Sequence, residues 1–108
     1  MRLTARFWVD AYLARLRQVD IPAFVLAHGD DTAGAVLVKV NRLDGSAALY
    51  HRKYDILNDV RAWDVLESAD DAVIDASIGR QRVRDPDLWV IEVEDKAGRH
   101  LLDAPGLA

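Results

Sequence analysis

Apolar positions Trp8, Ala11, Tyr12, Leu16 and Val19 recur at helical spacing. This is the stripe of an amphipathic helix, predicted over 4–20 with Thr4 as its N-cap and Pro22 beyond its end. A short apolar run at 23–28 then predicts a buried strand, followed by the turn-rich residues 29–34 and a second strand over 35–41. Asp44-Gly45 stands between two strand-like runs, the dipeptide a tight hairpin favours because its central residues take positive φ.

With a two-residue turn at Asp44-Gly45, Val40 pairs with Leu49, Lys39 with Tyr50, Val38 with His51 and Leu37 with Arg52. That register puts Val36, Val38, Val40, Ala47 and Leu49 on a core side, and Lys39, Asn41, Tyr50 and Arg52 on the other. One extra turn residue would exchange the faces of one strand relative to its neighbour.

Residues 53–66 carry mixed periodicity and are predicted as a loop followed by a short strand. Ser68, three residues before Asp71, predicts the start of a second helix running to about Val83, before Asp85-Pro86. Over 88–94, Trp89, Ile91 and Val93 alternate with Val90, Glu92 and Glu94, a strong strand pattern. The turn at 95–98 predicts a return strand over 99–102, and the tail 103–108 is expected to fray. The order reads as an α+β fold: a mostly antiparallel twisted sheet, made of a meander and a C-terminal hairpin, with two helices packed on one face. Residues 1–108 are expected to form a single domain.

Composition narrows the function classes. The 108-residue chain has 51% apolar and 30% charged residues and no cysteine, so it can form one core without disulfides, thiolate metal ligands or a cysteine nucleophile. Its apolar runs are far shorter than the ~20 residues of a membrane span, and basic and acidic residues break the first segment before a signal-peptide core could form. A cytoplasmic location is expected. The net charge of −4, with seven acids against Arg61 alone between Asp55 and Asp75, disfavours nucleic acid as a partner. A nucleic-acid accessory role would require the arginines to gather on one face.

The segments GAVLVKVNRLDG over 34–45 and RDPDLWVIEVEDKAGRH over 84–100 resemble domain-of-unknown-function family 1491, a group of small, uncharacterised, stand-alone bacterial proteins. The resemblance extends over most of the chain and is weakest at 53–66. It implies a bacterial cytoplasmic protein, with no catalytic residue or cofactor to carry across.

The chemistry-bearing residues point to surfaces more than to reactions. Asp87, Glu94 and Lys96 imitate a metal-nuclease pattern, but on one strand Asp87 and Glu94 would stand roughly 23 Å apart on opposite faces. Asp85, Asp87 and Asp95 read as turn residues flanking a strand. His28, His51 and His100 lack metal-ligand spacing and read as packed or edge histidines. No nucleophile elbow, phosphate cradle or cofactor motif occurs, so no catalytic, cofactor or metal residue is assigned. Arg2, Arg6, Arg15 and Arg17 with Trp8 and Tyr12 compose a basic amphipathic segment, but a sheet needs that same apolar stripe to cover it.

Two candidate surfaces remain. Lys39, Asn41, Tyr50, Arg52 and Glu92 would form a polar sheet face suited to a protein partner or to self-association. Arg80, Arg82 and Arg84, with Arg42, Arg52 and Lys53 nearby, would form an anion patch if the second helix ended near the hairpin; otherwise they complement the helix dipole. A non-catalytic protein-interaction module, binding a partner or a second copy of itself, is the leading expectation, using the polar face or an exposed strand edge. The alternative is a small-anion-binding protein or metal-independent enzyme built on the arginines, with Glu92 as acid or base.

Overall fold

The computed structural model describes residues 3–107; Arg2 of the basic segment and Ala108 of the tail lie outside the described residues. The elements run α1 (Ala5–Gln18), β1 (Ala23–Ala27), β2 (Val36–Asn41), β3 (Ser46–Asp55), β4 (Val60–Asp70), α2 (Asp71–Arg84) and β5 (Trp89–Glu94). Thr4 caps α1, its Oγ1 accepting from the Phe7 N–H at 3.2 Å.

The strands form one sheet in the order β1-β5-β2-β3-β4. Among the described strands β2 and β5 run parallel, and the other neighbouring pairs are antiparallel. The expected meander of the first three strands is broken, because β5 inserts between β1 and β2; the meander that forms is β2-β3-β4. This also corrects the expected C-terminal hairpin: β5 already has a neighbour on each side, and residues 99–102 form no strand.

The helices cover opposite faces, not one. Trp8, Val9, Tyr12 and Leu16 of α1 pack on Val36, Val38, Val40, Trp89, Ile91 and Val93. Ile74 and Ile78 of α2 pack on Leu37, Ala47, Leu49 and Val90. Successive strand residues point to opposite faces, so apolar residues at both parities of β2 and β5 require a layer on each side.

The β2–β3 register differs by one residue from the two-residue-turn expectation. Lys39 pairs with Leu49 and Val38 with Tyr50. Three residues, 43–45, form the loop inside the Arg42 N–H to Ser46 carbonyl bond of 3.2 Å. Leu43 joins Gly45 at positive φ, 63° and 93°, while Asp44 Oδ1 accepts from the Ser46 N–H at 2.9 Å. The extra residue exchanges the faces of β3.

Residues 53–66 are not a loop with a short strand: they complete β3, turn and begin β4. The Asp55 carboxylate organises the turn, accepting from the Leu57 N–H at 3.0 Å and from Asn58 Nδ2 at 2.7 Å. Ser68 pairs with Ala48 within β4 and does not open the helix. Instead, α2 begins at Asp71, whose N–H donates to the Gly45 carbonyl at 2.8 Å. The tail does not fray over its described residues. Leu107 is 2% exposed, and its carbonyl accepts from both the Trp8 and Trp63 indole N–H groups, at 3.2 and 2.9 Å.

Candidate functional site

The polar face expected from Lys39, Asn41, Tyr50, Arg52 and Glu92 is divided by the observed register. Lys39, Asn41 and Glu92 lie on the α2 side, whereas Tyr50 and Arg52 lie on the α1 side. The five residues therefore cannot form one interaction surface.

Lys39 is 2% exposed, yet its ammonium lies 2.5 Å from Asp71, 2.7 Å from Asp75 and 3.0 Å from Glu92. Burial alone would lower its pKa, but the three carboxylates outweigh that effect and raise it above the ordinary lysine range. A lysine held charged in this way is a poor proton acceptor and a poor nucleophile. Its role is to tie β2, β5 and the first turn of α2 together. Glu92, considered above as an acid or base, is committed to this cluster.

On the other face, Arg52 stands directly across the β3–β4 ladder from Trp63. Its guanidinium carbon lies 5.0 Å from the Trp8 ring centroid and 5.1 Å from that of Trp63. Each ring offers its negative π face to the cation. Arg52 Nε is buried and has no hydrogen-bond partner among the described residues. Burial, and then the neighbouring charge of Arg61, lower the Arg52 pKa. Tyr50 packs elsewhere, its ring 4.6 Å from that of His100.

The β2–β3 ladder ends at Leu37 and His51, but β3 continues beside β4 to Asp55. Next to this extension lies a cleft of about 1060 Å³ that joins the two faces at the end of the sheet. Arg52 and Arg61 enter its wall from the β3–β4 arm, and Gln81, Arg84 and Asp85 from the end of α2. The structure thus brings together Arg84 and Arg52 of the expected anion patch and adds Arg61. Arg80 and Arg82 are exposed on α2 and do not line this cleft; Arg42 donates to the Ala97 carbonyl at 3.2 Å. Arg61 was concealed by the unpredicted hairpin, for which the turn-rich residues 55–59 were the available signal.

The start of α1 also borders the cleft, but its amides are already engaged. The Ala5 and Arg6 N–H groups donate to the Thr32 and Asp31 carbonyls at 3.1 and 2.9 Å. Gly29 and Gly34 both press against the Asp87 carbonyl, so neither opens a phosphate cradle.

The histidines occupy separate places. His28 stacks on Trp89 at 4.1 Å and pairs with Asp31 at 2.7 Å, His51 lines the cleft, and His100 packs on Tyr50. Among the described residues, no three His, Cys, Asp or Glu side chains gather into a possible metal site. No described helix is long and apolar enough to cross a membrane, and Trp8 and Tyr12 of the basic segment are buried in the core.

The free edge of β1 is the remaining surface of note. Among the described residues its only ladder partner is β5. Phe24, Val25 and Leu26 are 51%, 43% and 49% exposed, and no residue from Ile21 to Ala27 is ionisable. The opposite edge, β4, carries Arg61, Asp64, Glu67 and Asp70, charges of the kind that discourage edge pairing.

Comparison with known proteins places this architecture in a family. The model for the protein of unknown function family DUF1491 matches residues 3–103, and the chain belongs to that family. It is similar to a DUF1491 family protein from Caulobacter crescentus CB15 seen in a crystal structure, with 38% identity and a TM-score of 0.85 over 94% of this chain and 95% of that one. An NMR structure of a DUF1491 family protein from the same organism gives 37% identity and a TM-score of 0.79 over 93% and 92% of the two chains. The solution structure of protein Atu0922 from A. tumefaciens gives 28% identity and a TM-score of 0.73 over 87% and 86%. No curated protein matches the chain.

Proposed function

We propose that this DUF1491 family member is a non-catalytic, cytoplasmic interaction module that forms a homodimer through β1. The observation that carries the reading is the run Phe24, Val25 and Leu26, three consecutive exposed apolar residues on a strand with an unoccupied side in the sheet. Such runs are avoided on surfaces that stay in water, and a sheet edge supplies backbone donors and acceptors for another strand. Antiparallel pairing of β1 with the β1 of a second copy would extend the sheet across a two-fold axis.

Charge favours a second copy as the occupant. Two chains of net charge −4 repel, and an approach through the uncharged segment Ile21 to Ala27 places no like-charged side chains directly opposite one another. A cysteine-free chain is also at home in a reducing compartment. Light scattering coupled to size exclusion tests the reading. The wild-type protein is expected at twice the 12.1 kDa chain mass, and Val25→Lys at the chain mass with its circular dichroism unchanged. A wild-type protein that stays monomeric across a concentration series would overturn the proposal.

A further inference from the structure

We propose that the cleft lined by Arg52, Arg61 and Arg84 binds a small organic phosphate monoester, with its phosphate on the guanidinium groups and its organic body in the remaining volume. The site is separate from the β1 edge and does not depend on dimer formation.

The cleft carries an excess of positive charge. Three arginines line the cleft against one carboxylate, Asp85, in a chain whose net charge is −4. Among the described residues, none of the three makes an ion pair; the arginine and lysine ion pairs belong to Arg6, Lys39 and Arg99. The Asp85 Oδ1 atom accepts from the Asp87 N–H at 3.1 Å and so serves the turn after α2. Acids are plentiful in this sequence, yet among the described residues no acid forms an ion pair with these three cations.

The Trp8 and Trp63 rings, themselves 5.1 Å apart, both stand about 5 Å from the Arg52 guanidinium carbon, so they cover it from one side and leave the other side of this half-buried group open to a hydrogen-bonding partner. A guanidinium edge matches two oxygens of a phosphate or carboxylate. Partly removing a cation from water without a counter-charge is costly, and a bound anion would offset that cost. The aromatic pair also fixes the side chain before any ligand arrives, reducing the ordering needed on binding.

Size and valence select the ligand class. A cleft of about 1060 Å³ is at the upper end of the range for small-molecule sites, far more than a bare oxyanion needs. Three guanidinium groups suit a dianionic head better than a single carboxylate. Tyr54, Leu37, Leu88 and Trp8 supply apolar wall for the body of the ligand.

Isothermal titration with phenyl phosphate as the probe tests this, with inorganic phosphate and benzoate as comparisons at matched ionic strength. Phenyl phosphate is expected to bind saturably and more tightly than either. Arg61→Gln and Arg84→Gln should each weaken it by about tenfold or more, the scale of one charged hydrogen-bonding partner, while Arg80→Gln, outside the cleft, should leave it unchanged. These positions are exposed, so the variants should fold, and circular dichroism checks that they do. Absence of saturable binding, or equal binding by wild type, Arg61→Gln and Arg84→Gln, would overturn the site. Benzoate or inorganic phosphate binding as tightly as phenyl phosphate would overturn the ligand class.

Discussion

Lys39 and Leu49 are direct partners across the β2–β3 ladder, so a buried ammonium shares the α2 face with a fully buried leucine. The lysine occupies that position because Asp71, Asp75 and Glu92 surround its amine. Buried charge is tolerated only when it is paired, and here the pairing spans two strands and a helix.

Lys39→Ala should therefore do more than remove a side chain. It would leave three carboxylates facing one another without their shared cation, and the expected loss is about 3–5 kcal/mol. Urea denaturation measures it. A loss below about 1 kcal/mol would mean that the cluster is solvated and contributes as little as a surface ion pair.

Leu107→Ala should cost about 2–5 kcal/mol, the range for emptying a buried leucine site. Deleting residues 104–108 should go further by removing the carbonyl that accepts from the Trp8 and Trp63 indoles. The expected signature is a red-shifted tryptophan emission and a lower Tm. Unchanged emission would show that the tail is not part of the aromatic core.

Gly29→Ala and Gly79→Ala should act in opposite directions. A Cβ on Gly29 would stand 2.2 Å from the Asp87 carbonyl oxygen and 2.6 Å from Trp89 Cδ1, forcing the backbone apart. A Cβ on Gly79 meets nothing within 4 Å, and alanine in a helix interior is favoured over glycine by roughly 0.5–1 kcal/mol. Thermal denaturation should show Tm falling for the first variant and rising for the second.

Stability should fall as the solution is acidified from neutrality through the histidine range. Burial lowers the His100 pKa, with Asp103 opposing more weakly, and its Nδ1 accepts from the Leu102 N–H at 3.0 Å, a bond that requires this nitrogen to be unprotonated. The unfolded chain takes up the proton first as pH falls. The contribution is thus complete above the unfolded histidine value of about 6.5 and is lost as pH falls through the folded pKa. His100→Gln should flatten this part of a pH series of denaturation curves. An unchanged slope would assign the acid sensitivity to other groups.

Several features followed from local pattern. The spacing of Trp8, Tyr12 and Leu16 and the cap at Thr4 produce α1, because helix periodicity and capping act within one or two turns. The alternation of Trp89, Ile91 and Val93 likewise marks β5, and the segments over 34–45 and 84–100 carry the family resemblance. At 55–59 the turn residues were present, but the mixed periodicity around them hid the hairpin and, with it, Arg61.

The amino-acid sequence by itself determined the opening helix, the strong strands, the α+β class and the family. Tertiary structure decided which face each strand residue occupies, because Leu43 at positive φ adds one residue to the loop and reverses the parity of β3. It also decided that β5 lies between β1 and β2, which leaves β1 at an edge and places the helices on opposite faces. The arginine cleft depends on both outcomes. Periodicity is set by neighbours along the chain, whereas register, strand order and the meeting of Arg52, Arg61 and Arg84 are set by packing between residues distant in sequence.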